Sequence, residues 1–213
     1  MYRMKSNKFF LRLSYVSFKY FFDQIVASLV FVLILPFLLI ISFLILCKLG
    51  QPIFFTQERP GFKCRPFHII KFRTMKNIYD KKGSFVDDKF RIDKFGQFLR
   101  STSIDELPAL INIIKGEMSF VGPRPLLMKY LNIYNEKQIK RHDLRPGLTG
   151  LAQINGRNSI TWKDKFEYDL KYVKKISFFL DLNIIFMTIG KVFLRKDINS
   201  KNNPTAIEFN GKN

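Results

Sequence analysis

Residues 24–47 read QIVASLVFVLILPFLLIISFLILC, a run of 24 positions without a charge, closed by Asp23 on one side and Lys48 on the other. As one straight helix the run reaches about 36 Å, more than the roughly 30 Å of a bilayer's hydrocarbon core. Pro36 stands near its middle, where the missing N–H and the ring clash with the preceding turn kink a helix. Basic residues crowd both flanks: Arg3, Lys5, Lys8, Arg12 and Lys19 before the run, Lys48, Arg59, Lys63 and Arg65 after it. Lys and Arg accumulate on the cytoplasmic side of membrane segments, so both ends belong there. A re-entrant helix that enters, bends at Pro36 and leaves on the same face satisfies length, proline and charge together. A single crossing strands one basic flank outside. The basic N-terminal residues resemble the n-region of a secretory signal, but the following stretch argues against one, because no short apolar core ends in a small-residue cleavage site.

The remainder of the 213 residues suffices for one domain. Lys and Arg outnumber Asp and Glu by 36 to 17, giving a net charge of +19. That excess calls for anionic partners such as lipid head groups, phosphates or nucleic acid. No nucleic-acid recognition motif is present, and a membrane hairpin restricts access, so a nucleic-acid partner is not expected. Cys47 lies in the apolar run and Cys64 in a basic loop, with no zinc or disulfide spacing, which suits a reducing compartment. His68 and His142 are isolated and expected in core or surface roles rather than on a metal.

The expected class is α+β: a mostly helical catalytic core with short strands, the re-entrant helix bent at Pro36, and interfacial amphipathic helices. Four segments are expected: a basic N-terminal segment 1–19, the membrane helix 20–48, a cytoplasmic domain 49–196 and a loose tail 197–213. Residues 53–56 and 67–75 have strand character, and 76–89 reads as a polar loop. Ile92, Phe95 and Leu99 fall at helical spacing, as do Trp162, Phe166, Leu170 and Val173 behind Thr161 and Asp164. Residues 176–194 are apolar, but Asp181 and Lys191 leave too short an uncharged stretch to span. A core helix and an interfacial helix both fit. No repeat is present.

The densest polar chemistry lies between Arg100 and Arg157. Asp105 and Glu106 are adjacent, so on a helix they point apart and meet a common metal or phosphate from different directions. Ser103 with Glu106 also makes a capping box, a purely structural use of the same residues, although a helix N-terminus suits a phosphorylated ligand too. Two proline-rigid turns follow, Gly122-Pro123-Arg124-Pro125 and Arg145-Pro146-Gly147-Leu148-Thr149-Gly150. Each holds an arginine beside restricted backbone, which lowers the ordering cost of a phosphate clamp. With Arg100 and Arg157 they suggest a shared anion site.

Together, Phe72-Arg73-Thr74-Met75, Ser103-Ile104-Asp105-Glu106-Leu107-Pro108, Met118-Ser119-Phe120-Val121-Gly122-Pro123-Arg124-Pro125, the Arg145–Gly150 turn and Gln153-Ile154-Asn155-Gly156-Arg157-Asn158 resemble the bacterial sugar transferases that are small monotopic phosphoglycosyl transferases. The resemblance runs from about Phe18 to the last residue. The ending Phe209-Asn210-Gly211-Lys212-Asn213 is most similar to members that take UDP-N,N'-diacetylbacillosamine. Two departures stand out. Leu35 precedes Pro36 where the family commonly has serine, and Leu151 stands where an aromatic residue is frequent.

The resemblance implies transfer of a sugar 1-phosphate from a UDP-sugar to undecaprenyl phosphate at the cytoplasmic face of the inner membrane, opening glycan assembly ahead of downstream glycosyltransferases. Asp105 is implied as nucleophile and Glu106 as ligand of a Mg²⁺ cofactor. Arg100, Arg124 and Arg145 are implied as phosphate holders, with Lys71 and Arg157 toward the nucleotide or product phosphate. The rival reading, a non-catalytic basic protein that binds anionic lipids or partners at the membrane surface, explains the charge and the apolar run. It leaves the Asp-Glu pair among proline-fixed arginines unexplained.

Overall fold

The computed structural model describes residues 2–156, 159–194 and 208–211. Helix α1 (Tyr2–Leu49) takes up the basic segment and the apolar run as one element, with Pro36 inside it. Among the described residues it is the one helix long and apolar enough to cross a membrane. One stripe of the helix is buried against the rest of the chain: Lys19, Asp23, Ala27, Leu38, Ile41 and Ile45, bridged by half-buried Phe31 and Ile34. The stripe crosses Pro36 without losing phase. Pro36 itself is exposed, about 200° around the helix from both Ile34 and Leu38. The lost hydrogen bond therefore faces away from the body, and the helix runs unbroken through the position where a bend was expected. Ser28 and Ser42 turn their hydroxyls back onto the carbonyls of Gln24 and Leu38, both at 2.8 Å, which lets them sit in an apolar helix.

Both arms of α1 grip the same body. On the N-terminal arm Lys19 pairs with Asp181 and the Gln24 amide donates to the Ile114 carbonyl at 2.9 Å. On the C-terminal arm Leu38, Ile41 and Ile45 pack with Phe72 and Leu99. Arg73 donates to the Leu49 and Gly50 carbonyls at 2.6 and 2.5 Å, a cation on the last free carbonyls of the helix. Positions 19 and 49 are therefore both held by the same folded body.

Strands β1 (Phe54–Pro60) and β2 (Pro66–Phe72) form an antiparallel hairpin around a 3₁₀ turn at Phe62–Cys64. β1 runs further than the expected 53–56. Alternation puts Phe67 and Ile69 on the buried face, and Lys71 shares that face by the same period of two. Asn112, fully buried, accepts from the Ile70 N–H at 3.0 Å and donates to the His68 carbonyl at 2.8 Å, which satisfies the free edge of β2. A short helix α2 (Asp88–Arg91) precedes α3 (Lys94–Ser101), where Asp93 accepts from the Gly96 N–H. Helix α4 (Leu110–Ile114) leads to β3 (Ser119–Val121), which pairs in parallel with β4 (Gly147–Thr149).

After α5 (Leu151–Ile154), α6 (Trp162–Lys175) starts on Thr161, whose hydroxyl accepts from the Asp164 N–H as expected. Helix α7 (Phe178–Leu194) combines the two alternatives open for it. Ile184 is fully buried, while Phe179, Phe186 and Ile189 stay exposed, an outward apolar face suited to a membrane interface. The tail was expected to be loose. Within its described part, however, Phe209 is 5% exposed, packed on Tyr130, Trp162 and Phe166. Burial of that ring contributes roughly 1.5–3 kcal/mol and ties this end of the chain to α6.

The two-armed contact predicts topology. Cysteines introduced one at a time at Ser17 and Gln51, both exposed, should react with a membrane-impermeant maleimide from the same side of sealed vesicles. Labelling from opposite sides would exclude the re-entrant helix.

Candidate functional site

The Asp-Glu pair sits on a 3₁₀ helix, Ile104–Ala109, rather than in the first turn of an α-helix. Ser103 enters it in the left-handed region at φ 55° and its side chain makes no capping bond, so the capping box is not formed. A six-residue 3₁₀ turn also offers little dipole for a phosphate, unlike the helix N-terminus considered from sequence. Glu106 is used elsewhere. Its Oε1 accepts from Lys71 Nζ at 2.6 Å and from Arg124 Nη2 at 2.8 Å. Asp105 makes no hydrogen bond or ion pair with any of the described residues, yet it feels Lys71, Arg100 and Arg124. Burial, then the Glu106 charge, pushes its carboxyl up to about 6 against the pull of these three cations.

Each cation arrives by a different route. Lys71 reaches inward because strand alternation points it there. Arg100, at the end of α3, is oriented by its Nε bond to the Thr74 hydroxyl at 2.9 Å. Arg124 comes from the first proline turn, which the parallel pairing of β3 and β4 lays beside the second. Gly122 N–H donates to the Thr149 carbonyl at 2.9 Å, and Gly147 N–H to the Pro123 carbonyl at 3.0 Å. A Cβ on Gly147 would lie 2.1 Å from the Gly122 nitrogen, and one on Gly122 2.4 Å from the Arg145 carbonyl oxygen. Only glycines permit this approach. A cavity of about 80 Å³ results, walled by Arg59, Lys71, Glu106, Arg124 and Leu148.

Arg145 does not join that group. Its guanidinium stacks 4.2 Å from the Tyr20 ring on α1, and its backbone N–H donates to the Tyr20 hydroxyl at 2.9 Å. The second turn therefore meets the membrane helix, not the carboxylates. Arg157, Asn158 and most of the tail lie outside the described residues.

The sequence profile described as Bacterial sugar transferase matches residues 14–195 of the chain. The chain belongs to the bacterial sugar transferase family. It is 52% identical over 164 residues to a protein of Bacillus subtilis (strain 168) described as "Uncharacterized sugar transferase EpsL", covering 77% of this chain and 81% of that one. It is 41% identical over 189 residues to a UDP-glucose:undecaprenyl-phosphate glucose-1-phosphate transferase of Klebsiella pneumoniae. Here 84% of this chain spans only 41% of the relative. It is 37% identical over 196 residues to the exopolysaccharide production protein ExoY of Rhizobium meliloti (strain 1021), covering 82% of this chain and 85% of that one. The sugar in the Klebsiella relative's name is glucose, where the C-terminal ending resembled diacetylbacillosamine-using members.

In this sugar transferase the oxygen donors suit a cation that is finished by its ligand. No group of three or more metal-ligating side chains occurs among the described residues. Asp105 and Glu106 still repel each other enough to raise Asp105. Mg²⁺ is commonly held by one or two carboxylates with water and substrate phosphates, so this pair fits such an ion only alongside a bound diphosphate.

Sequence reasoning missed two features. Arg59 was read merely as a basic flank. It stands on β1 at the small cavity, its Nη1 3.4 Å from the Pro125 carbonyl and its Nε buried without a partner among the described residues. Burial, then repulsion by Arg124, lowers it to about 10. The other is Arg141, 2% exposed, bound to Asp169 at 2.6 and 3.0 Å and donating to the Arg124 carbonyl at 2.6 Å. Neither has a motif; a Gly-Pro turn built on a basic, carbonyl-rich wall was the available signal. His142 is buried against the Gly61 carbonyl, and burial lowers it to about 4, so it is neutral and structural.

Asp169→Asn leaves the Arg141 charge buried without its counter-ion. Such losses cost about 3 to 5 kcal/mol. The variant should melt well below the parent in detergent, followed by tryptophan fluorescence of the single Trp162.

Proposed function

We propose that the chain transfers a sugar 1-phosphate from a UDP-sugar to undecaprenyl phosphate and releases UMP, through a phosphosugar held covalently on Asp105. The observation that carries the reading is the division of labour in the carboxylate pair. Glu106 Oε1 is engaged by two cations, whereas Asp105 is unpaired among the described residues and ringed by Lys71, Arg100 and Arg124. An unpaired carboxylate in positive potential is a nucleophile that can approach a phosphate.

The Asp105 carboxylate attacks the sugar-bearing phosphorus, the bond from that phosphorus to the bridging oxygen breaks, and UMP departs with the electron pair. A phosphate oxygen of the lipid then attacks the same phosphorus, and the carboxylate leaves. Atoms and charge balance in both steps. Arg59, Lys71 and Arg124 hold the donor's phosphates, and Arg100 steadies the Asp105 carboxylate before it attacks and as it leaves in the second step. Removal of a preorganised donor of this kind typically costs about 3 to 4 kcal/mol in rate. Arg145, on the α1 side, and Arg157 belong to the same proposal as contacts for product or lipid phosphate. Glu106 with the donor diphosphate would hold Mg²⁺, which supplies charge neutralisation at the departing phosphate.

A re-entrant α1 would hold this chemistry at head-group level, where a soluble donor meets an acceptor whose tail stays in the bilayer. Nucleotide sugars are cytoplasmic, so the face is the cytoplasmic side of the inner membrane. The lipid diphosphosugar then feeds downstream glycosyltransferases. Relatives named for exopolysaccharide production support a polysaccharide pathway. For the hexose, the glucose-named relatives favour UDP-glucose, and the C-terminal resemblance favours an N-acetylated amino sugar such as UDP-N,N'-diacetylbacillosamine.

UMP release from a panel of UDP-sugars with undecaprenyl phosphate and magnesium tests activity and sugar at once. With donor carrying radioactive phosphorus and no acceptor, the parent should become labelled and Asp105→Asn should not. Full turnover by that variant ends the nucleophile assignment. Glu106→Gln should shift the magnesium titration to higher concentration and slow turnover.

Attack needs the ionised carboxylate, and Asp105 is raised to about 6. Adduct formation should therefore fall as pH drops through about 6 instead of near 4, the ordinary aspartate range. Lys71→Met removes a charge that pulls this pKa down, so the acid limb should move to higher pH. Stopped-time labelling across a pH series reads both shifts.

A further inference from the structure

A second cavity, of about 390 Å³, lies between α1 and α7. Val26 and Val30 form one wall, Ile185 and Ile189 the other, and Leu148 and Glu106 close its inner end. Leu148 and Glu106 also line the small basic cavity, so the two spaces share a wall at Glu106. Two of its hydroxyls satisfy each other, Thr149 Oγ1 and Thr188 Oγ1 at 2.7 Å, and the Thr102 hydroxyl donates to the Phe98 carbonyl at 2.8 Å. Both helices that wall it expose large apolar side chains on their outer faces, Leu29 and Leu33 on α1, Phe179 and Phe186 on α7. A gap between two such helices is reached sideways from the bilayer.

We propose that this cavity seats the isoprene units next to the phosphate of the polyprenyl phosphate acceptor. The assignment rests on the transfer reaction proposed above and adds where the acceptor's chain lies. The space demands a ligand with one anionic end and an apolar body, because a hydroxyl-rich ligand would leave its polar groups unpaired against aliphatic walls. The anionic end belongs at the Glu106 mouth, within the field of Lys71 and Arg124, and the chain runs outward between α1 and α7 into lipid. The cavity is of ordinary ligand-site size, too small for a whole polyprenyl chain, so only its first units are read. The competing occupant is the donor sugar, for which the polar side chains on the wall, Thr102, Ser103, Gln153 and Lys191 among them, are outweighed by the aliphatic ones.

The test narrows the cavity from each helix separately, with Val26→Phe and Ile189→Trp, and measures KM for undecaprenyl phosphate and for the UDP-sugar. Either variant should raise the acceptor KM about tenfold, the equivalent of about two buried methylene groups, with the donor KM held. Acceptor KM unchanged in both variants, or donor KM rising in step, overturns the assignment. Independently of turnover, a polyprenyl phosphate carrying a benzophenone in its first isoprene should photolabel residues 26–30 or 185–192 of the parent protein. Labelling confined elsewhere also overturns it. A parent that takes up the photoprobe there yet forms no aspartyl adduct would instead refute the reaction and leave the lipid seat standing.

Discussion

Lys19, with 4% of its side chain exposed, lies between Asp23 at 3.1 Å and Asp181 at 3.0 Å, and the rest of the architecture depends on that contact. Tyr15 and Tyr172 donate to Asp181 at 2.7 and 2.6 Å, and Ser119 donates to Asp23. Helices α1, α6 and α7 and strand β3 thus meet at one polar knot. Taking charges out of water consumes most of what their attraction returns, so such a knot contributes geometry more than net stability. Hydrophobic contact alone would let an apolar helix slide or roll on an apolar body. The knot fixes its register, and the inward stripe through Ala27 to Ile45 then follows.

Register has consequences along both helices. Beyond Asp23 on α1 come Val26 and Val30, and beyond Asp181 on α7 come Ile185 and Ile189. The same polar contact therefore sets the spacing of the two walls that enclose the larger cavity. The fold separates two environments within the reach of one side chain: an aliphatic gap on the membrane side and a basic cleft on the other, with Glu106 on the wall of each. A reaction between a lipid phosphate and a nucleotide diphosphate needs that juxtaposition, since neither substrate is at home in the other's solvent.

The cleft obeys a second constraint. Two adjacent carboxylates cannot both stay ionised in a half-buried place unless positive charge surrounds them. The cations come from strand alternation at Lys71, the end of α3 at Arg100 and a proline turn at Arg124. The turn is held by Gly122 pressed on Gly147 from in front and by Arg141 from behind. Glu106 engages two of these cations, and that leaves Asp105 without an ion pair among the described residues.

The chain order alone determined the membrane element, its basic flanks, the α+β mixture, and the presence of a carboxylate pair among arginine turns, because these depend on composition and on spacing within a few residues. It also carried the family's motifs. What stayed illegible depended on contacts between distant residues. Ser103 and Glu106 have the spacing of a capping box, yet a 3₁₀ turn and the pull of Lys71, 35 positions earlier, claim Glu106 instead. Arg124 and Arg145 look equivalent in sequence, but parallel pairing of β3 and β4 sends one to the carboxylates and the other to Tyr20. Arg59 and Arg141 belong to no motif, since their roles exist only where β1 and α6 come up against the turn after β3. Local spacing fixes which groups are available; which of them share a cleft is decided by tertiary packing, because charge and burial act through space rather than along the chain.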